Sequence, residues 1–369
     1  MLTGASLPRF QKNLLKWFAQ FQRDLPWRRT RVPYHIWLSE IMLQQTRVTA
    51  AIPYYEKFLE RFPTVDALAE APQEEVLRLW SGLGYYSRAR NLQKAAQEIT
   101  DKHDGVFPDQ LEEALALPGI GAYTAAAILS IAYQKNHAVL DGNVARVLAR
   151  LSALRGDLRA NGTWQKLQKT ADDLLDQKAP GDWNQAMMEL GATLCTPRSP
   201  QCLLCPVSEF CEARKKGLAD LIPAKRVKRS TVEIILAALV IVDPHGRTLL
   251  QTPPKAAKKS LADDDVHTLV SRLWHFPTIA VQTGDPAAEL KKSVEKSLLD
   301  GRKFPGELLP LKKVRHAVTY RSITVLPFRA EVAKLPRISA TKVFPLTDLS
   351  SVPISNLTRK VARAALAPA

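Results

Sequence analysis

Residues 115–128 read LALPGIGAYTAAAI. An apolar helical pattern runs into Pro118, Gly119 and Gly121 and resumes as AYTAAAI, which predicts two helices joined by a hairpin of a few residues. Neither glycine carries a Cβ, and the first backbone N–H groups of the second helix have no partner within it. Such a corner admits a phosphate group closely, so Gly119 and Gly121 are candidate contacts to a nucleic-acid backbone. Any αα-hairpin can use glycine in its turn, so docking and plain connection both remain open from this stretch alone.

The same periodicity extends in both directions. Over residues 1–212 apolar positions recur at three- and four-residue spacing between Pro, Gly, Asp and Asn boundaries, as in VDALAEAPQEEVLRLWSGLG, residues 65–84. An all-α domain is expected there. Residues 213–230 form a basic, proline-containing linker, and RKKGLADLIPAKRVKR within it has seven basic residues against one acidic. Beyond it the period changes to that of strands. STVEIILAALVIVDPHGRTLLQ predicts a strand, a turn at Asp243 to Gly246 and a second strand, and KVRHAVTYRSITVLPFRAEV predicts another pair. An α+β domain over 231–369 follows, with TPPKAAKKSLADDD (252–265) as an expected mobile loop.

With 46% hydrophobic residues the 369-residue chain can build cores in about two domains, which excludes a disordered protein. No apolar run reaches membrane-spanning length, and the amphipathic N-terminus MLTGASLPRFQKNLLKWF does not read as a leader, so a cytoplasmic protein is expected. A formal net charge of +16 favours a polyanionic partner through phosphate neutralisation. No heptad seam appears, and the chain is expected to be a monomer.

All four cysteines fall in CTPRSPQCLLCPVSEFC, residues 195–211, spaced C-x6-C-x2-C-x5-C as Cys195, Cys202, Cys205 and Cys211. Two disulfides here would leave the rest of the chain unstapled, so the spacing reads as a metal clamp. Zinc sites usually employ CxxC twice and this segment has it once. Unequal loops of six, two and five residues suit a multi-iron cluster, yet both metals remain candidates from spacing.

Three further stretches bear chemistry. In YHIWLSEIMLQQTRV (34–48) a helix places Glu40 on one face with Ile36, Trp37 and Leu43, and such surroundings raise a carboxyl pKa and make it a candidate general acid. A solvated or arginine-paired glutamate is the bland alternative. In AVLDGNVARVLARL (138–151) Asp141 is well placed as a helix N-cap, and equally as a carboxylate that stabilises a developing sugar cation opposite the acid. In GLGYYSRARNL (82–92) Tyr85 or Tyr86 can enter a base stack while Arg88 or Arg90 contacts phosphate, against the alternative of a buried tyrosine pair.

Taken in order, SEIMLQQT, GLGYYSRARNL, LPGIGAYTA, VLDGNVARV and the cysteine cluster resemble the helix-hairpin-helix DNA glycosylase superfamily over about residues 10–212. Tyr123 and the appended domain look most like its adenine-removing, MutY-type branch. The resemblance implies a [4Fe-4S] cluster on the four cysteines. It also implies removal of adenine mispaired with 8-oxoguanine or guanine in double-stranded DNA after base flipping. Glu40 would protonate adenine, Asp141 would stabilise the oxocarbenium-like sugar, and Tyr123 and Asn143 would hydrogen-bond around it. Arg23, Trp27, Arg28, Leu43 and Gln185 match the adenine pocket. Gln45, Thr46, Leu83 and Tyr85 match positions around the opposite lesion, with Tyr85 as the wedge, and Gly84 is a further expected DNA contact. The endonuclease III branch carries lysine where this chain has Tyr123, so glycosylase action without strand cleavage is expected. The C-terminal domain resembles the Nudix-like lesion-reading domain of the family, with LWHFP (273–277) as its tryptophan-proline strand. GDPAAELKKSVEKSLLDG (284–301) lacks the Arg/Glu-rich helix of a working hydrolase, so no pyrophosphatase activity is expected. Where the family typically has Phe-Ser-His for 8-oxoguanine, this chain has Val314-Arg315-His316, which leaves His316 as the matching residue. An endonuclease III-like or mismatch-specific glycosylase, and a non-catalytic DNA-binding protein, are the alternatives, and base preference and base release separate them.

Overall fold

The structure is a computed structural model that describes residues 6–224, 230–252, 266–270, 272–281, 284–299, 301–336 and 340–367. The expected linker falls partly, at 225–229, and the expected loop largely, at 253–265, outside the described residues. The helices follow in chain order as α1 (Ser6–Phe21), α2 (Pro33–Leu43), α3 (Val48–Arg61), α4 (Val65–Glu70), α5 (Gln73–Leu79), α6 (Ser87–His103), α7 (Leu111–Ala116), α8 (Ala122–Tyr133), α9 (Gly142–Leu151), α10 (Asn161–Leu174), α11 (Pro180–Thr193), α12 (Glu212–Lys215), α13 (Val266–Leu269), α14 (Pro286–Ser297) and α15 (Asn356–Leu366). By packing, one unit comprises Met1–Glu70 with Asn91–Val227, and the other Ala71–Arg90 with Lys228–Ala369. The boundary falls inside α6, so residues 71–90 group with the C-terminal residues although they sit within the helical stretch of sequence.

In the first unit α8 is the central element. Its residues Thr124–Ile131 are all buried, which is why AYTAAAILSIAY is apolar all round instead of striped. It packs against α2 and α11, and α11 packs in turn against α1 and α9. Proline at the first position starts both α2 and α11, where its missing N–H costs nothing. Gly191 lets α11 and α9 approach: a Cβ there would lie 2.8 Å from the Cβ of Asn143. Asn184 ties α11 to the extended residues before α9, accepting from the Val139 N–H at 3.1 Å and donating to the His137 carbonyl at 2.8 Å.

The second unit is built on a mixed sheet of β1 (Val232–Val242), β2 (Arg247–Gln251), β3 (Thr278–Ala280), β4 (Leu309–Pro310), β5 (Val314–Val318), β6 (Arg321–Glu331) and β7 (Thr341–Pro345). The main order is β4-β6-β1-β2-β7, with β3 beside β1 and β5 beside β6. The hairpins expected at β1–β2 and β5–β6 are antiparallel, and β1 pairs in parallel with β6 from Val232↔Arg321 to Val242↔Glu331. The run ILAALVIV is continuous because both faces of β1 are covered. Leu236, Ala238 and Val240 meet a core shared with α15, while Ala237, Leu239 and Ile241 meet one shared with α14.

Candidate active site

Glu40 stands in the last turn of α2 and is 6% exposed. Tyr123, the second residue of α8, donates its hydroxyl to Glu40 Oε2 at 2.8 Å. Burial pushes the Glu40 carboxyl up to about 7; the Tyr123 hydrogen bond opposes that rise, and the negative charge of Asp141 adds to it. Burial, followed by the neighbouring Glu40 and Asp141, raises the Tyr123 phenol well above its ordinary range, so it stays a donor.

Asp141 caps α9. Its Oδ1 accepts from the backbone N–H groups of Asn143 at 2.9 Å and Val144 at 2.7 Å, and its Oδ2 accepts from Asn143 Nδ2 at 3.0 Å. The capping reading of Asp141 holds, and the side chain that the cap fixes also lines a cavity with Glu40. Arg146 Nη2 donates to Asn143 Oδ1 at 2.9 Å, which turns the amide so that its N–H₂ group faces Asp141. The same guanidinium donates to the Gly191 carbonyl at 2.7 Å and, through Nε, to the Cys195 carbonyl at 2.8 Å.

The cavity has a volume of about 600 Å3 and is lined by Arg23, Trp27, Arg28, Glu40, Leu43, Gln45, Thr46, Tyr123, Asp141, Asn143 and Gln185, residues drawn from five places in the sequence. Trp27 is buried and meets the Tyr55 ring edge-on at 5.4 Å. Sequence reasoning overlooked Glu189, one turn beyond Gln185 on α11. Its side chain is 1% exposed and receives Arg23 through Nε and Nη2, each at 2.7 Å, and Arg28 Nη2 at 2.8 Å. Burial alone would raise this carboxyl, but the hydrogen bonds from Arg23 and Arg28 overcome it and hold the group at about 2. The one available signal was the i, i+4 spacing from Gln185, which puts both on one helix face.

The remaining predicted residues lie elsewhere. Gly119 and Gly121 flank the hairpin between α7 and α8. Gly119 has φ +80 and a Cβ there would sit 2.8 Å from the Asn91 Cβ, so packing and left-handed backbone already require it. Gly121 faces open space at the N-terminus of α8, which no side chain caps. Leu83, Gly84 and Tyr85 belong to the second unit, where Leu83 is buried and Tyr85 is 38% exposed with φ 48. Tyr86 is core. Arg88 does not reach toward solvent as the phosphate reading supposed: it is 9% exposed, donates to the Leu83 and Gly84 carbonyls and stacks on the Trp80 and Tyr85 rings. His316 is half-buried on β5 opposite Ile323, and burial lowers its pKa.

The four cysteines line one small cavity with Arg150 and Arg214. Among the described residues no group of three or more His, Cys, Asp or Glu side chains converges to hold a metal ion. Four cysteines lining one cavity are the donor set that an iron-sulfur cluster would take. Arg150, 2% exposed, donates from Nη1 to Cys195 Sγ at 3.2 Å.

Residues 38–172 match the HhH-GPD superfamily of base excision DNA repair proteins, and residues 195–211 match the iron-sulfur binding domain of endonuclease III. The first unit and its site thus define a base-excision glycosylase class. A human adenine DNA glycosylase is 36% identical over 354 residues, covering 85% of this chain and 64% of that protein. One from Buchnera aphidicola subsp. Acyrthosiphon pisum is 40% identical over 233 residues, covering 63% of this chain and 67% of its own length. The solved structure of a thermostable thymine-DNA glycosylase aligns with TM-score 0.53 and 30% identity, over 57% of this chain and 97% of that one. The chain belongs to the adenine DNA glycosylase family, and spans less than two thirds of the length of its mammalian relatives, 64% of the human protein and 43% of the rat and mouse ones. Its cofactor is a [4Fe-4S] cluster held by Cys195, Cys202, Cys205 and Cys211. No described helix is long and apolar enough to cross a membrane.

Proposed function

We propose that this chain hydrolyses the N-glycosidic bond of adenine paired with 8-oxoguanine or guanine in double-stranded DNA, acting as a monomer and without cutting the strand. The observation that carries the reading is one cavity holding a buried carboxyl raised to about 7 and, opposite it, an N-capping carboxylate. Adenine departs poorly as an anion, so protonation of the base and stabilisation of the sugar cation are where the barrier falls. Glu40 supplies the proton while the Tyr123 hydroxyl holds its other oxygen. Asp141, oriented by Asn143, faces the developing positive charge and can trap it covalently. Arg23, Trp27, Arg28, Leu43 and Gln185 receive the flipped base; Gln45 and Thr46 on the first unit are taken as contacts to the opposite base, and Tyr85 on the second unit as the wedge. Gly119 and Gly121 approach the backbone, and His316 on β5 meets the lesion. Tyr123 has no amine for a Schiff base, which supports a glycosylase lacking lyase action. The C-terminal unit serves as a Nudix-like reader of the lesion with no pyrophosphatase activity.

Single-turnover assays on duplexes with adenine opposite 8-oxoguanine, guanine or thymine test this, alongside a thymine–guanine mispair. Adenine release opposite the two purines, strand breaks only after alkali, and a loss of at least about a hundredfold in Glu40→Gln are expected. Preferential thymine release, or borohydride trapping of the protein on DNA, would overturn the assignment.

A further inference from the structure

The loop that carries Tyr85 is strained. Gly82, Gly84 and Tyr85 have φ of 119, 74 and 48, so three of four consecutive residues are left-handed and one of them is not glycine. Such a backbone persists only where its surroundings over-determine it. Part of the restraint is local: Trp80 Nε1 donates to the Gly84 carbonyl at 3.1 Å, and Arg88 reaches the carbonyls of Leu83 and Gly84 at 3.4 and 3.3 Å.

The rest comes from residues more than 260 positions later in the same unit. Ile354 O, beneath a side chain that is 3% exposed, accepts from Ser81 Oγ at 2.9 Å and from the Tyr86 hydroxyl at 3.1 Å. The Tyr86 oxygen in turn accepts from the Gly82 N–H at 3.2 Å. At the start of α15, Asn356 Nδ2 donates to the Gly82 carbonyl at 3.4 Å, and Arg359 Nη2 donates to Ser81 Oγ at 3.0 Å. Ser355 caps that helix, accepting from the Thr358 N–H at 3.0 Å, so the turn bearing Asn356 and Arg359 is itself fixed. Both polar groups of the Gly82 backbone are thereby held, while the Tyr85 side chain remains partly exposed.

We propose that the N-terminal turn of α15, through Asn356, Arg359 and the Ile354 carbonyl, positions the Tyr85 wedge, and that discrimination of the base opposite adenine depends on these residues as well as on His316. The inference rests on the reading of Tyr85 as the wedge. Asn356 and Arg359 are positioning residues: their bonds reach Ser81 and Gly82.

The test is a double-mutant cycle in the full chain. Rates of adenine release opposite 8-oxoguanine and opposite guanine are measured for Tyr85→Ala, Asn356→Ala, Arg359→Ala and the doubles, with Tm recorded for each. Asn356 is exposed and its replacement does not threaten folding; Tyr86→Phe supplies a second, conservative probe. We expect the rate ratio between the two duplexes to fall roughly five- to tenfold in Arg359→Ala, less in Asn356→Ala, and no further when Tyr85→Ala is already present. A Tm loss with both rates lowered equally and additively with Tyr85→Ala would mean a merely structural contact and overturn the inference. If Tyr85→Ala collapses the ratio while the α15 variants and Tyr86→Phe leave it unchanged, the inference alone fails. If Tyr85→Ala itself leaves the ratio unchanged, the wedge reading fails and takes the inference with it.

Discussion

Glu40 and Glu189 are two buried carboxyls lining one cavity, and their surroundings send them in opposite directions. Glu40 has one hydrogen-bond donor and an anion nearby, so the proton is retained up to about pH 7. Its acid role requires the protonated form, and base release should decline as pH rises through about 7, a limb that pH–rate profiles of single turnovers would reveal. The stability sign is the reverse of an ion-paired carboxylate. Because the folded pKa lies above the ordinary 4.5, the folded state pays to ionise this group, and the cost grows from about pH 4.5 to pH 7 and is constant above. Glu40→Gln should therefore be more stable than the parent at pH 8, by at most about 3 kcal/mol, with the gain shrinking toward pH 4.5 in urea titrations. Glu189 is held at about 2, so its contribution is complete above about 4.5 and is lost as pH falls toward 2. Glu189→Ala leaves Arg28, 10% exposed, without its carboxylate and should cost about 3 kcal/mol at pH 7 by denaturant unfolding. A cost below about 0.5 kcal/mol would mean the arginines find water instead.

At the scale of elements, the two hairpin glycines should behave differently. Gly119→Ala meets a left-handed backbone and an Asn91 contact of 2.8 Å, and should destabilise the fold by about 1–3 kcal/mol. Gly121→Ala has open space and an ordinary φ, and should change stability by less than about 0.5 kcal/mol while weakening duplex binding. Equal stability losses would contradict this split; thermal melts decide it. The contrast shows what was legible in the sequence. LALPGIGAYTA gives the hairpin, because glycine and proline act locally, but not the Asn91 side chain that comes to lie over Gly119. The apolar face around Glu40 follows from helical period, and the β1–β2 turn from its Asp-Pro-His-Gly sequence. The Arg23–Glu189 pair spans 166 residues, and nothing in either stretch announces the other. Arg88 is a different case: its partners, the Leu83 and Gly84 carbonyls, are five and four residues back, but the sequence does not show that the left-handed turn at Gly84 and Tyr85 folds them toward it.

Over the whole molecule the excess of sixteen positive charges sets how strongly ions compete with the proposed substrate. Each phosphate neutralised contributes a slope of about −0.9 in log K against log salt, so four contacts would lose roughly a hundredfold in affinity between 50 and 200 mM salt. A slope near zero in anisotropy titrations would argue against a backbone-docking surface. The other molecule-wide property is the interruption of one unit by the other. The grouping of Ala71–Arg90 with Lys228–Ala369 means that Glu74 waits for Trp274, 200 residues later, and Ser81 for Arg359, 278 residues later. At about 5–20 residues per second, that is roughly 10 to 60 seconds of synthesis. During that interval the tyrosine loop is already outside the ribosome and cannot take its final form, so a helix made 278 residues later finishes a loop begun long before it.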